Sequence, residues 1–64
     1  MWKLLIKVEG KPGWHEVFGM GMAFSGFHII DQAASFILKN LDAYVVNKFG
    51  KLAEIEEISI VFKD

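Results

Sequence analysis

The chain has no cysteine, no arginine and no threonine, and one proline in 64 residues. Each absence removes a class of explanation. Without cysteine there is neither a disulfide nor a thiolate metal site to brace so short a chain. Without arginine all seven cations are lysines, and against eight acidic residues they leave a formal net charge of -1. Polyanion-binding proteins carry a basic excess, so nucleic acid is not the expected partner. With no threonine, and with serine at positions Ser25, Ser35 and Ser59 alone, no hydroxyl is spaced with a histidine and an acid as a nucleophilic triad requires. No apolar run reaches the ~18 residues of a membrane span, and the opening Met1-Trp2-Lys3 lacks the pattern of a signal peptide. The expectation is a cytoplasmic protein with no membrane partner.

What is present is apolar. The hydrophobic set makes up 53% of the residues and the mean hydropathy is +0.33, yet a chain of this length buries only about 60% of the surface it exposes when unfolded. One domain over residues 1–64 is therefore expected to own more water-avoiding surface than its core can hide. Dense packing or self-association has to supply the stability that a disulfide or metal would otherwise add.

The longest periodic stretch is residues 27–49. On a helical wheel His28, Asp31, Gln32, Ser35, Lys39 and Asp42 gather in one arc, leaving an apolar sector of roughly 200°, interrupted mainly by Asn40, where a surface helix needs a stripe of about 100°. Ser25 suits an N-cap, Lys48 falls in the last turn, and Gly50 stands where a left-handed residue ends a helix. The spacing predicts one helix over 27–49, about 34 Å long, overhanging strands of about 26 Å.

Around it lie three strand patterns. Residues 2–9 alternate, with Trp2, Leu4, Ile6 and Val8 on one face and Lys3, Leu5, Lys7 and Glu9 on the other. Gly10-Lys11-Pro12-Gly13 reads as a turn. Residues 14–24, read with period two, put Trp14, Phe18, Met20, Met22 and Phe24 inward with Glu16 as a misfit, and His15, Val17, Gly19, Gly21 and Ala23 outward. In the last strand Ile58, Ile60 and Phe62 face inward, Glu57, Ser59, Val61 and Lys63 outward, and the doubled Glu56-Glu57 suggests a bulge or a late entry into the strand. The expected fold is α+β in two layers, β-β-α-β: a mostly antiparallel three-stranded sheet in the order 2-1-3, with one long helix packed on one face.

The uncovered sheet face then presents Leu5, Val17, Gly19, Gly21, Ala23 and Val61, rimmed by Lys3, Lys7, His15, Glu57, Ser59 and Lys63. A small-residue apolar centre with a charged rim has the anatomy of a contact surface. With Ile29, Phe36, Leu38 and Val45 on the helix flank, it is the expected protein interface.

Candidate chemistry is sparse. Gly19-Met20-Gly21 approaches a dinucleotide-binding fingerprint, but Phe24 stands where its third glycine belongs. His28, Asp31 and Gln32 share a helical face and offer two ordinary metal ligands, which His15 would have to complete. His15 and Glu16, adjacent in a strand, point to opposite sides. No cofactor and no small-molecule substrate is expected.

The leading expectation is a small non-enzymatic interaction module, acting as a homodimer or as an accessory or inhibitory subunit of a larger protein. A small phage protein that blocks host machinery is one setting of this size. The first alternative is binding of single-stranded nucleic acid through Lys3, Lys7 and Lys63; the second is an enzyme or metal site completed between subunits.

Overall fold

A computed structural model describes residues 1–17 and 26–63. The elements run β1 (Trp2–Val8), β2 (Lys11–Val17), α1 (Ile30–Lys39), α2 (Leu41–Phe49) and β3 (Ile55–Phe62). The strands form an antiparallel sheet in the order β2-β1-β3. The α+β class and the strand order thus agree with the pattern reading, while the single long helix is two. Phe18, Gly19, Met20, Gly21, Met22, Ala23, Phe24 and Ser25 lie outside the described residues.

β1 is central because it is the strand whose alternate positions are most completely apolar. Leu4, Ile6 and Val8 are essentially inaccessible and, with Val17, Phe27, Ala33, Leu41 and Val45, form the buried core. At about 1.5–3 kcal/mol for each fully buried aliphatic side chain, these three positions are the main reason the helices settle on this face. Gly10, with φ 80°, closes the turn between β1 and β2, a conformation open to glycine at no steric cost. On the other side of β1, β3 pairs from Trp2↔Phe62 to Lys7↔Glu57, then Val8 faces Ile55. Glu56 is therefore one residue in excess, and the bulge returns Ile55 to the apolar face.

The facing of β2 is the reverse of the expectation. Val17 lies opposite Leu4 and His15 opposite Ile6, so both share the covered face, and Val17 is buried. Trp14 and Glu16 take the open face instead. The register between β1 and β2 shifts after Ile6↔His15, with Val8 meeting Lys11, so four positions of β2 span two of β1 and the facing of the strand is kept. Glu16, a misfit when placed inward, is free on the outer face to meet Lys3, 3.5 Å away.

Where a helix over 27–49 was expected, Phe27 is extended. It exchanges two backbone hydrogen bonds with Trp2, each 2.8 Å, and so occupies the edge of β1 beyond the end of β2. The helix begins only at Ile30, with Ile29 rather than Ser25 as its N-cap. The first-turn donors are met in part by Gln32, whose Oε1 accepts from the N–H groups of His28 (3.2 Å) and Ile29 (3.4 Å), the returning half of a capping box.

At Asn40 the chain leaves helical geometry, with φ −127° and ψ −17°. Its N–H still donates to Phe36 and its C=O still accepts from Tyr44. The backbone bonding is thus carried across a bend rather than broken, as suits a residue whose side chain competes with helix bonding. Two segments of ten and nine residues replace the overhanging rod, and the long axis of the molecule is 31 Å. Gly50 ends α2 with φ 107° and ψ 166°, a positive φ as expected but with extended ψ.

Candidate functional site

The two sheet faces differ. On the outer face, Lys3 pairs with Glu16 at 3.5 Å and Lys7 with Glu57 at 3.6 Å. The Lys7 ammonium also lies 5.3 Å from the centroid of the Trp14 ring, within cation–π range. Leu5 and Val61 are half-buried between these pairs. Among the described residues the expected open apolar centre is reduced to Leu5 and Val61, because Val17 lies in the core.

Lys3 and Lys7, two of the three lysines of the nucleic-acid alternative, each already carry an acidic partner, and the third, Lys63, is exposed with no ion pair among the described residues. Trp14 is aromatic, 45% exposed and on this face, as base stacking would need. Its ring, however, is already engaged by Lys7. Neutralised lysines do not gain the counterion release that drives association with a polyanion.

The covered face is not covered evenly. Helix α1 packs on β1, and Phe27 and Phe36 meet with ring centroids 5.8 Å apart. Helix α2 leans toward β2: the Tyr44 hydroxyl donates to the Glu16 carbonyl at 3.5 Å, and Phe49 stands edge-on to His15 at 5.1 Å. The helical layer is thus displaced away from β3. Between α2 and the start of β3 a groove of about 460 Å³ opens, lined by Asp42, Val45, Val46, Ala53, Glu54 and Ile55. Farther along the strand Ile58 and Phe62, both on the helix-facing side, remain 43% and 58% exposed. Among the described residues Phe62 keeps one aromatic neighbour, Trp2, edge-on at 5.1 Å.

The remaining expected interface residues divide. Val45 is buried in the core, Phe36 is half-buried, and Ile29 and Leu38 are exposed. Leu38 and Ile29 belong to α1 and its N-cap, whereas the groove and the bare strip belong to α2 and β3. Ile58 and Phe62 were assigned to the core on alternation alone. The signal that would have placed them outside was the break at Asn40: a two-segment helix cannot span three strands with one apolar stripe.

For ligand chemistry, no three His, Asp or Glu side chains gather among the described residues where they could hold a metal. His28 precedes the helix and is exposed, and Gln32 is used in capping. His15 Nε2 is buried with no hydrogen-bond partner among the described residues. It faces Phe49 in the core, on the opposite side of β2 from Glu16. No described helix is long and apolar enough to cross a membrane. No family model matches the chain, and neither a curated protein nor a solved structure matches it.

Proposed function

We propose that the chain is a small non-enzymatic protein-interaction module whose contact surface is the apolar strip along β3. The reading is supported by one observation above all: Ile58 and Phe62 stand on the apolar side of the sheet and are left bare by a helical layer displaced toward β2. Exposed large side chains scattered singly are ordinary. Here they are aligned along one strand and continue into the groove beside Val46, itself 42% exposed, and aligned apolar patches mark interaction sites. The strip replaces the outer sheet face, whose charges are internally paired. Such a module acts by pairing with itself or by covering a surface of a larger protein.

The test is the native mass of the chain, measured by light scattering on purified material and by sedimentation in extracts of the cells that make it. The expected result is a mass above 7.3 kDa in at least one setting, lost on replacing Ile58 and Phe62 together by lysine. A monomer in both settings, up to high micromolar concentration, overturns the reading.

A further inference from the structure

The backbone of β3 carries information that its side chains do not. The Lys63 N–H donates to the Met1 carbonyl at 2.8 Å and the Met1 amino nitrogen donates back to the Lys63 carbonyl at 2.6 Å. Met1 and Lys63 are thus a pair exchanging both bonds. In an antiparallel ladder such pairs recur every second residue, so in the established register Val61, Ser59 and Glu57 spend their N–H and C=O groups on β1. The intervening residues Ile58, Ile60 and Phe62 aim theirs away from β1. Since β3 has β1 as its hydrogen-bonded neighbour and lies at the end of the sheet, these groups form an open edge among the described residues.

Open strand edges invite pairing, and proteins usually guard them with charged side chains, proline or bulges. The opposite edge is guarded in that way: β2 carries Pro12, then Gly13 at φ 85°, within its shifted register. From Ile58 to Phe62 the β3 edge has neither proline, glycine nor charge.

Resting on the interaction-module reading, we infer that the occupant of this edge is a second copy of the chain, joined β3 to β3 in antiparallel fashion about a twofold axis at Ile60. Three independent features select it. First, only residues whose backbone groups point outward can bond across a new ladder, so even-numbered positions must meet even-numbered positions. This places both helical layers on the same side of one six-stranded sheet and brings the two bare strips together.

Second, the strand is self-complementary about Ile60. Ile58 of one copy faces Phe62 of the other on the apolar side, and Ser59 faces Val61 on the outer side. Third, Glu57 then faces Lys63, so opposite charges meet twice. Shifting the axis to Ser59 sets Glu56 against Phe62 and Glu57 against Val61; shifting it to Val61 sets Lys63 against Ser59. Opposed cross-strand charges favour a register, and only the axis at Ile60 provides them.

Two measurements test this, and the absence of native cysteine makes the second clean. In hydrogen exchange on the unaltered protein, amides of Ser59 and Val61 are expected to be protected at every concentration. Those of Ile58, Ile60 and Phe62 should slow at least tenfold between low micromolar and millimolar chain. In single-cysteine variants under mild oxidation, Ile60→Cys should form a covalent dimer at least fivefold faster than Ser59→Cys or Val61→Cys. The reason is that mates on the axis lie about 5.5 Å apart at Cα, within the reach of a disulfide.

Self-association without slowing of the Ile58, Ile60 and Phe62 amides overturns the β3 pairing but leaves an interaction module using another surface. Fastest crosslinking at Ser59→Cys or Val61→Cys overturns the axis. A purified chain that stays monomeric while sedimenting as a heavier species in extract overturns the second copy as occupant, and again leaves the broader reading standing.

Discussion

Gly26 shows how much a single position can decide. It has φ 150°, and a Cβ built on it would lie 2.7 Å from the Trp2 carbonyl oxygen and 3.2 Å from Met1 Cβ. The obstacle is backbone, not the end of a flexible side chain, and that same carbonyl accepts the Phe27 N–H at 2.8 Å. A methyl group there must push apart the bridge that seats Phe27 in the core. Gly26→Ala is expected to cost about 2–3 kcal/mol, the range of a forced overpacking. In a domain of this size that lowers Tm by about 10 °C or more. A circular-dichroism melt showing a fall under about 2 °C would mean the close approach is relieved without disturbing β1. Nothing in the sequence marked Gly26 out from its neighbours. Its role depends on Phe27 returning to Trp2, a contact across 25 positions that local periodicity does not carry.

At the scale of elements, the helix start and the β2 facing show where pattern reading succeeds and where it stops. β1 and β3 were legible because their alternation is unambiguous and both sit in one register from Trp2↔Phe62 to Lys7↔Glu57. Even the extra residue at Glu56 was visible in the doubled glutamates. β2 was not legible, because its frame was drawn from the glycines and methionines that follow it, whereas pairing with β1 sets Val17 opposite Leu4 and His15 opposite Ile6. Glu16 carried the only local warning.

The helix was legible at its C-terminal end, but neither in its start nor in its continuity. Asn40 interrupts the apolar sector, and the bend there is what lets two short segments lean on β1 and β2 instead of spanning the sheet. The N-cap offers a direct measurement. Ile29 sits there with extended geometry, φ −125° and ψ 138°, makes no side-chain cap bond and is 56% exposed, so it contributes little packing. Ile29→Ser supplies an acceptor for the first-turn N–H groups and is expected to add about 0.5–1 kcal/mol, raising Tm by several degrees. Since Ile29 lies off the β3 strip, the variant should leave the association state unchanged. Loss of association in Ile29→Ser would shift the contact surface to the start of α1, where the sequence had first placed part of it.

For the molecule as a whole, the excess of apolar surface was the soundest inference available from composition, and its location was the least accessible. Composition counts side chains; it does not say which strand the helices fail to cover. The outer face drew attention because no element was left to pack on it, yet its lysines and glutamates pair within the face and Trp14 is shared with Lys7. Part of the surplus went to the helix-facing side of β3, where Ile58, Phe62 and the groove beside Val46 lie together, and part to Ile29, Leu38 and Leu52 on and after the helices.

The proposed burial of that strip by a mate predicts a signature in stability. Anything that binds the folded state and not the unfolded one raises apparent stability by RT ln(1 + [L]/Kd), and in the proposed dimer the ligand is the chain itself. For a Kd in the low micromolar range, a rise from about 1 μM to about 100 μM chain should add on the order of 2 kcal/mol, or roughly 8–16 °C in Tm for a domain this small. Phe62→Lys should abolish the concentration dependence. At 1 μM it should change Tm by only a few degrees, because the ring is more than half exposed and makes one aromatic contact among the described residues, with Trp2. The two halves of that result belong together. A concentration-independent Tm in the unaltered protein removes self-association as a source of its stability, and a Phe62→Lys variant unfolded at 1 μM would instead make Phe62 part of the monomer's own core.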